Sequence, residues 1–114
     1  MQPGTDKLFA KAVRAAAAGA AALDGGAPDV AAARAFAAMM LAAKAVLNER
    51  GLRLRTHARI AAALERFGAA PLSDWLGAAI ARRREDAGEL TFDEAAELVE
   101  RARLFVSAAR DQVA

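Results

Sequence analysis

The sequence predicts an all-α protein: an up-and-down antiparallel four-helix bundle with one additional short helix, in a single domain spanning residues 1–114. Three observations predict it. Alanine, the strongest helix former, fills 35 of the 114 positions. Apolar residues recur at helical spacing between glycine and proline stops. No segment of strand length between turn signals alternates apolar with polar residues.

Taken in order, Met1 to Gly4 is a loose end and Thr5 or Asp6 caps the first helix. Its inward face is Leu8, Phe9, Ala12, Val13, Ala16, Ala20 and Leu23, with Lys7, Lys11, Arg14 and Ala18 outside. Asp24-Gly25-Gly26 stops it. Pro28 fits the first position of the second helix, where a missing N–H costs nothing. Between Ala35 and Leu47 that helix has one charged residue, Lys44, and its large apolar residues point all round. A helix apolar on every side is covered on every side, so this is the central one. Gly51 closes it.

Leu52-Arg53-Leu54-Arg55 is too short and too alternating for a helix and reads as a basic turn. Thr56 caps a third helix, HARIAAALERF, with Ile60, Leu64 and Phe67 as its buried stripe and Gly68 as its stop. Pro71 and Ser73 open a fourth, DWLGAAIARRRED, with Trp75, Leu76, Ala79 and Ile80 facing in. Ala87 to Leu90 is the last joint. Thr91-Phe92-Asp93-Glu94 has the spacing of a capping box. The fifth helix runs to about Gln112, with Ala95, Leu98, Ala102, Phe105, Ala109 and Val113 inward.

Composition excludes several kinds of chemistry. With no cysteine and one histidine, a thiolate or multi-histidine metal site and a cysteine nucleophile are impossible. No metal or other cofactor is expected. Arg34 and Lys44 interrupt the most apolar helix, and MQPGTDKLF has no apolar signal core, so the reading is a soluble, cytoplasmic protein with no membrane contact. Alanine buries little area, so association could supply part of the stability. The net charge of +2 conceals an asymmetry: residues 49–84 carry eight Arg against three acids, and residues 85–114 three Arg against eight acids. Such a dipole suits either a polyanion-binding surface or a match between the basic region and the acidic last helix. Arg82-Arg83-Arg84 reads as a solvated or acid-paired helix end, and Met39, Met40 and Trp75 as core. The few Phe and the one Trp make no aromatic platform for bases.

Three stretches carry a resemblance: Ala33-Arg34-Ala35-Phe36-Ala37-Ala38-Met39-Met40-Leu41-Ala42-Ala43-Lys44-Ala45, then Gly51 with Arg55-Thr56-His57, then FDEAAELVERARLFVSAARDQV. In this order the chain resembles the HEPN domain (higher eukaryotes and prokaryotes nucleotide-binding), in particular its small stand-alone prokaryotic members. The resemblance implies a four-helix bundle that commonly dimerises and, in many members, a toxin that is a metal-independent endoribonuclease. The family signature is an Arg, four to six residues, then His; Arg50 and His57, with six between, take those catalytic roles. Arg53, Arg55 and Arg59 would be accessory RNA- or phosphate-binding residues. The implied partners are a second copy, an RNA substrate and a minimal nucleotidyltransferase antitoxin.

Two departures matter. Phe36 and Ala37 stand where the family's second helix usually has tyrosines, and Arg59 stands where some toxins carry the Tyr that their antitoxin modifies. The chain contains no tyrosine, so tyrosine adenylylation cannot silence it. Metal-free RNA cleavage needs a base, a cation for the phosphorane charge and an acid. The expectation is therefore a two-fold cleft lined by Arg50 and His57 of both protomers. The alternatives are a non-catalytic HEPN subunit that binds nucleotide or pairs with a nucleotidyltransferase, and a helical oligomerisation module. A histidine following a capping Thr is otherwise a surface residue, and Arg50 at a helix end complements the macrodipole in any case.

Overall fold

Alanine supplies the helices and glycine separates them. The computed structural model describes residues 2–67, 70–85 and 90–113, the side chains of residues 70, 71 and 83–85 excepted. Five helices account for these residues apart from the connections: α1 (Thr5–Asp24), α2 (Pro28–Glu49), α3 (His57–Phe67), α4 (Ala70–Glu85) and α5 (Phe92–Val113). There is no strand among the described residues. Helix α2 touches each of the other four, and α1 and α5 also pack on one another. The expected stop at Gly68, most of the joint before Leu90, and the pairing of Arg83 and Arg84 lie outside the described residues.

The expectation that α2 is covered on every side is met only in part: most residues from Ala31 to Asn48 are buried, but Ala33 and Arg34 are exposed and Ala37, Leu41 and Lys44 half-buried along one stripe of the helix. Contrary to expectation, Arg34 and Lys44 do not break the apolar run, for α2 is long and apolar enough to cross a membrane. Yet 67% of its most apolar window is buried inside the fold. The core of the domain is therefore a sufficient use for it.

Helix α1 is rotated from its expected setting. Phe9, Ala12 and Gly19 are buried, whereas Val13 is 44% exposed and Ala20 is exposed. Gly19 explains the rotation. A Cβ built there would lie 3.2 Å from the backbone oxygen of Ala31, so the two helices cross closely where the side chain is missing. The cap also differs: Gly4 occupies the N-cap with φ 91°, and no side chain caps the helix. The Thr5 hydroxyl is engaged instead with α2, as described below.

The expected stop at Gly51 is a Schellman motif. The Leu52 N–H donates to Leu47 O at 2.9 Å and the Gly51 N–H to Asn48 O at 2.9 Å, with Gly51 at φ 80°. A Cβ there would meet nothing within 4 Å, so only the left-handed backbone opposes a side chain. Gly51→Ala is expected to lower stability by about 1–2 kcal/mol, read as a shift of the urea midpoint at unchanged slope.

In α3, Ile60 and Leu64 are buried as expected, but Phe67 is 37% exposed with the Arg66 guanidinium 5.2 Å from its ring centre. Helix α4 begins at Ala70, earlier than expected, because a proline in the first turn blocks no helical bond. Leu76 and Ala79 are buried and Trp75 and Ile80 half-buried; Leu72, in the added turn, is buried too. The capping box of α5 is present, with Thr91 N–H to Glu94 Oε1 and Glu94 N–H to Thr91 Oγ1, both 3.1 Å. Glu94 also pairs with Arg82, which ties α4 to the acidic end of α5. That is the acid-paired reading of this arginine.

Candidate functional site

The five residues singled out in the sequence fall into two groups, and the connection after Gly51 decides which. It is an extended strap rather than a turn. Leu52 and Leu54 are half-buried while Arg53 and Arg55 are exposed, the period of two of extended chain. The strap leads back along α2, because the His57 ring meets the Phe36 ring edge-on, centroids 5.2 Å apart at 67°. Phe36 lies fourteen residues before Arg50. At 1.5 Å per residue the two are about 21 Å apart along the helix axis.

Arg50 and His57 are thus held apart within one chain, although their spacing in sequence matches the signature. His57 does not stand where α2 ends. It is exposed, at the first position of α3, behind a Thr56 cap whose Oγ1 accepts the Arg59 N–H at 3.3 Å. Arg50 is exposed just beyond α2, and Arg59 is exposed on the first turn of α3. Neither lines the cavity that Arg53 and Arg55 share.

That cavity, of about 410 Å³, is a groove between the start of α1, the end of α2 and the strap. Five cations line it: Lys7 and Lys11 from α1, Lys44 from α2, and Arg53 and Arg55 from the strap. Leu8, Leu47, Leu52, Leu54 and Ile60 supply its apolar lining. Among the described residues no carboxylate lines it, and none of the five cations has an ion-pair partner. Cations gathered in a concave, partly apolar site focus a positive field into it. Lys7 and Lys11 stand four residues apart on one helix, a like-charge arrangement that costs stability by itself.

The wall formed by Pro3 and Gly4 is fixed by a polar latch. Asn48 Nδ2 donates to Pro3 O and to Thr5 Oγ1, both at 2.9 Å; the Thr5 hydroxyl donates to Glu49 Oε2 at 3.0 Å. The backbone N–H of Gln2 reaches the same carboxylate oxygen at 2.8 Å. This backbone donor, with the Thr5 hydroxyl adding to it against a smaller desolvation, holds the Glu49 carboxyl below its ordinary range. Glu49 remains ionised yet is turned to the latch and does not line the groove.

Of the five cations that line the groove, Arg53 and Arg55 are among the residues singled out in the sequence, and Lys7, Lys11 and Lys44 are not. Two signals pointed to them: a lone lysine in an otherwise apolar stretch of the central helix, and two lysines one turn apart. Among the described residues there is no cluster of three His, Asp or Glu side chains that could hold a metal ion. The groove offers hydrogen-bond donors and positive charge, which suit an anion. Compared with protein-family models and with curated proteins, the sequence matches none.

Proposed function

We propose that this chain is a HEPN-like helical subunit, a four-helix bundle with one added helix, that binds an anionic macromolecule in the groove and acts by holding it. The observation that carries the reading is the set of five cations from three separate elements around one apolar cavity, with no carboxylate among the described lining residues. The separation of Arg50 from His57 favours binding over cutting. Of the partners the resemblance implies, a minimal nucleotidyltransferase and RNA are the two to test, and neither requires a tyrosine on this chain.

A polyanion column gives the first test. The wild type should be retained on heparin and elute well above physiological salt. The doublet Lys44→Glu with Arg55→Glu should elute markedly earlier, with its helical circular dichroism unchanged, since each lost phosphate-like contact flattens the salt dependence. Equal elution of the two proteins would defeat the proposal. Incubation with total RNA tests the nuclease alternative, which needs a second copy to bring one Arg50 to the other His57. The wild type and His57→Ala should both leave RNA intact. Cleavage by the wild type, lost in His57→Ala and in Arg50→Ala, would replace the binding reading with the catalytic one.

A further inference from the structure

We infer that the occupant of the groove is an acidic amphipathic helix presented by a partner protein. The inference rests on the groove being the binding site and names what binds there. Two features of the groove must be satisfied together: the cations at its rim and the aliphatic surface beneath them. A nucleic-acid strand answers the first alone. Its bases seek aromatic faces on which to stack, and no aromatic side chain is among the described lining residues. What the groove presents to a base is leucine and isoleucine. An α-helix with apolar residues at i, i+3, i+4 and i+7 buries that surface, and acidic residues flanking the stripe meet the cations.

Dimensions and charge agree with such an occupant. The α1 wall from its N-cap Gly4 to Lys11 is about 10 Å long, about two helical turns. Two turns present three or four apolar side chains on one face, enough to fill a cavity of about 410 Å³ from an open side. Leu47 and Ile60 form a floor that is already packed, while Leu8, Leu52 and Leu54 are half-buried and keep surface to give. The cations come from all three elements that line the cavity: Lys7 and Lys11 from α1, Lys44 from α2, and Arg53 and Arg55 from the strap. A basic or neutral amphipathic helix would meet these charges unpaired, so the groove selects by sign as well as by shape.

The test uses the full chain and three synthetic probes in fluorescence-anisotropy titrations at physiological salt. The first is a labelled peptide of about 16 residues, long enough for helix formation on binding, with leucines at the helical spacing and glutamates elsewhere. The second is the same composition scrambled, so that the charge is kept and the stripe destroyed. The third is a short single-stranded RNA of matched charge. The patterned peptide should bind at least about tenfold more tightly than its scramble, and unlabelled RNA should not displace it at equal concentration. Its affinity should fall about tenfold or more with Arg53→Ala plus Arg55→Ala. It should also fall with Leu54→Ser, a half-exposed position whose variant is checked for native circular dichroism. Equal binding of patterned and scrambled peptides would overturn the inference, because charge alone would then suffice. RNA binding that displaces the peptide would overturn it as well, while leaving the groove as an anion-binding site. Failure of all three probes would overturn both readings.

Discussion

Truncating Phe105 to alanine is expected to cost about 3–5 kcal/mol, the range for removing a large aromatic side chain from a close-packed core. The expectation follows from how few large side chains the core contains. Most of the fully buried positions of α2 are alanines, each worth little burial. Phe105 is fully buried on α5, and it packs against Trp75 of α4, ring centroids 6.5 Å apart. One side chain thus joins the last helix to α4. Against a typical total stability of about 5–15 kcal/mol, its removal should bring the domain close to its unfolding threshold. Urea unfolding followed by circular dichroism measures it. Leu104→Ala, one residue earlier and 42% exposed, is the control and should stay within about 0.5 kcal/mol of wild type. A Phe105→Ala loss below about 1 kcal/mol would mean that α4 and α5 are not packed as described.

The same abundance of alanine explains which parts of the fold could be read from sequence. Punctuation was informative: Pro28, Gly51, Thr56 and the Thr91–Glu94 box each stand where a helix begins or ends. Periodicity was informative where large and charged residues alternate, as in α5, whose buried Ala95, Ala102, Phe105 and Ala109 follow the expected stripe. It failed in α1. From Ala15 to Leu23 no residue is polar, so every face of that stretch is equally apolar in the pattern. The setting of the helix was left to the one residue that differs in shape, Gly19, which goes to the closest crossing with α2.

The site was harder to read for a different reason. Arg53 and Arg55 are conspicuous in sequence, but Lys7, Lys11 and Lys44 come to them only through packing of α1 on α2 and the return of the strap along α2. Spacing along the chain also misleads where the backbone is extended. Seven residue steps within a helix span about 10 Å, and the same steps in an extended strap span about 23 Å. Arg50 and His57 match a signature by count, and the strap that buries Leu52 and Leu54 is what separates them.

Replacing Asn48 should have the second large effect, because its side chain joins two elements of the groove. Asn48 is 8% exposed and donates to both Pro3 O and Thr5 Oγ1, so Asn48→Ala removes two hydrogen bonds and leaves their acceptors unmatched. The expected cost is about 1–3 kcal/mol, with faster amide exchange concentrated in the first turns of α1. Asn48→Asp should cost more, since an acceptor would then face two acceptors beside the ionised Glu49. The latch also carries a pH dependence. The Gln2 backbone N–H and the Thr5 hydroxyl hold the Glu49 carboxyl below its ordinary range in the folded chain. A carboxyl depressed by folding stabilises the folded state above the usual value of about 4.3, and that contribution disappears as pH falls through the lower, folded-state value. Protection of the α1 amides should therefore be constant near neutrality and decline in acid below about pH 4. In Glu49→Gln that local acid step should be absent. If Asn48→Ala leaves exchange at the start of α1 unchanged, the N-terminal wall of the groove does not depend on this side chain. Lys7 and Lys11 would then be held in place by the packing of Phe9 and Ala12.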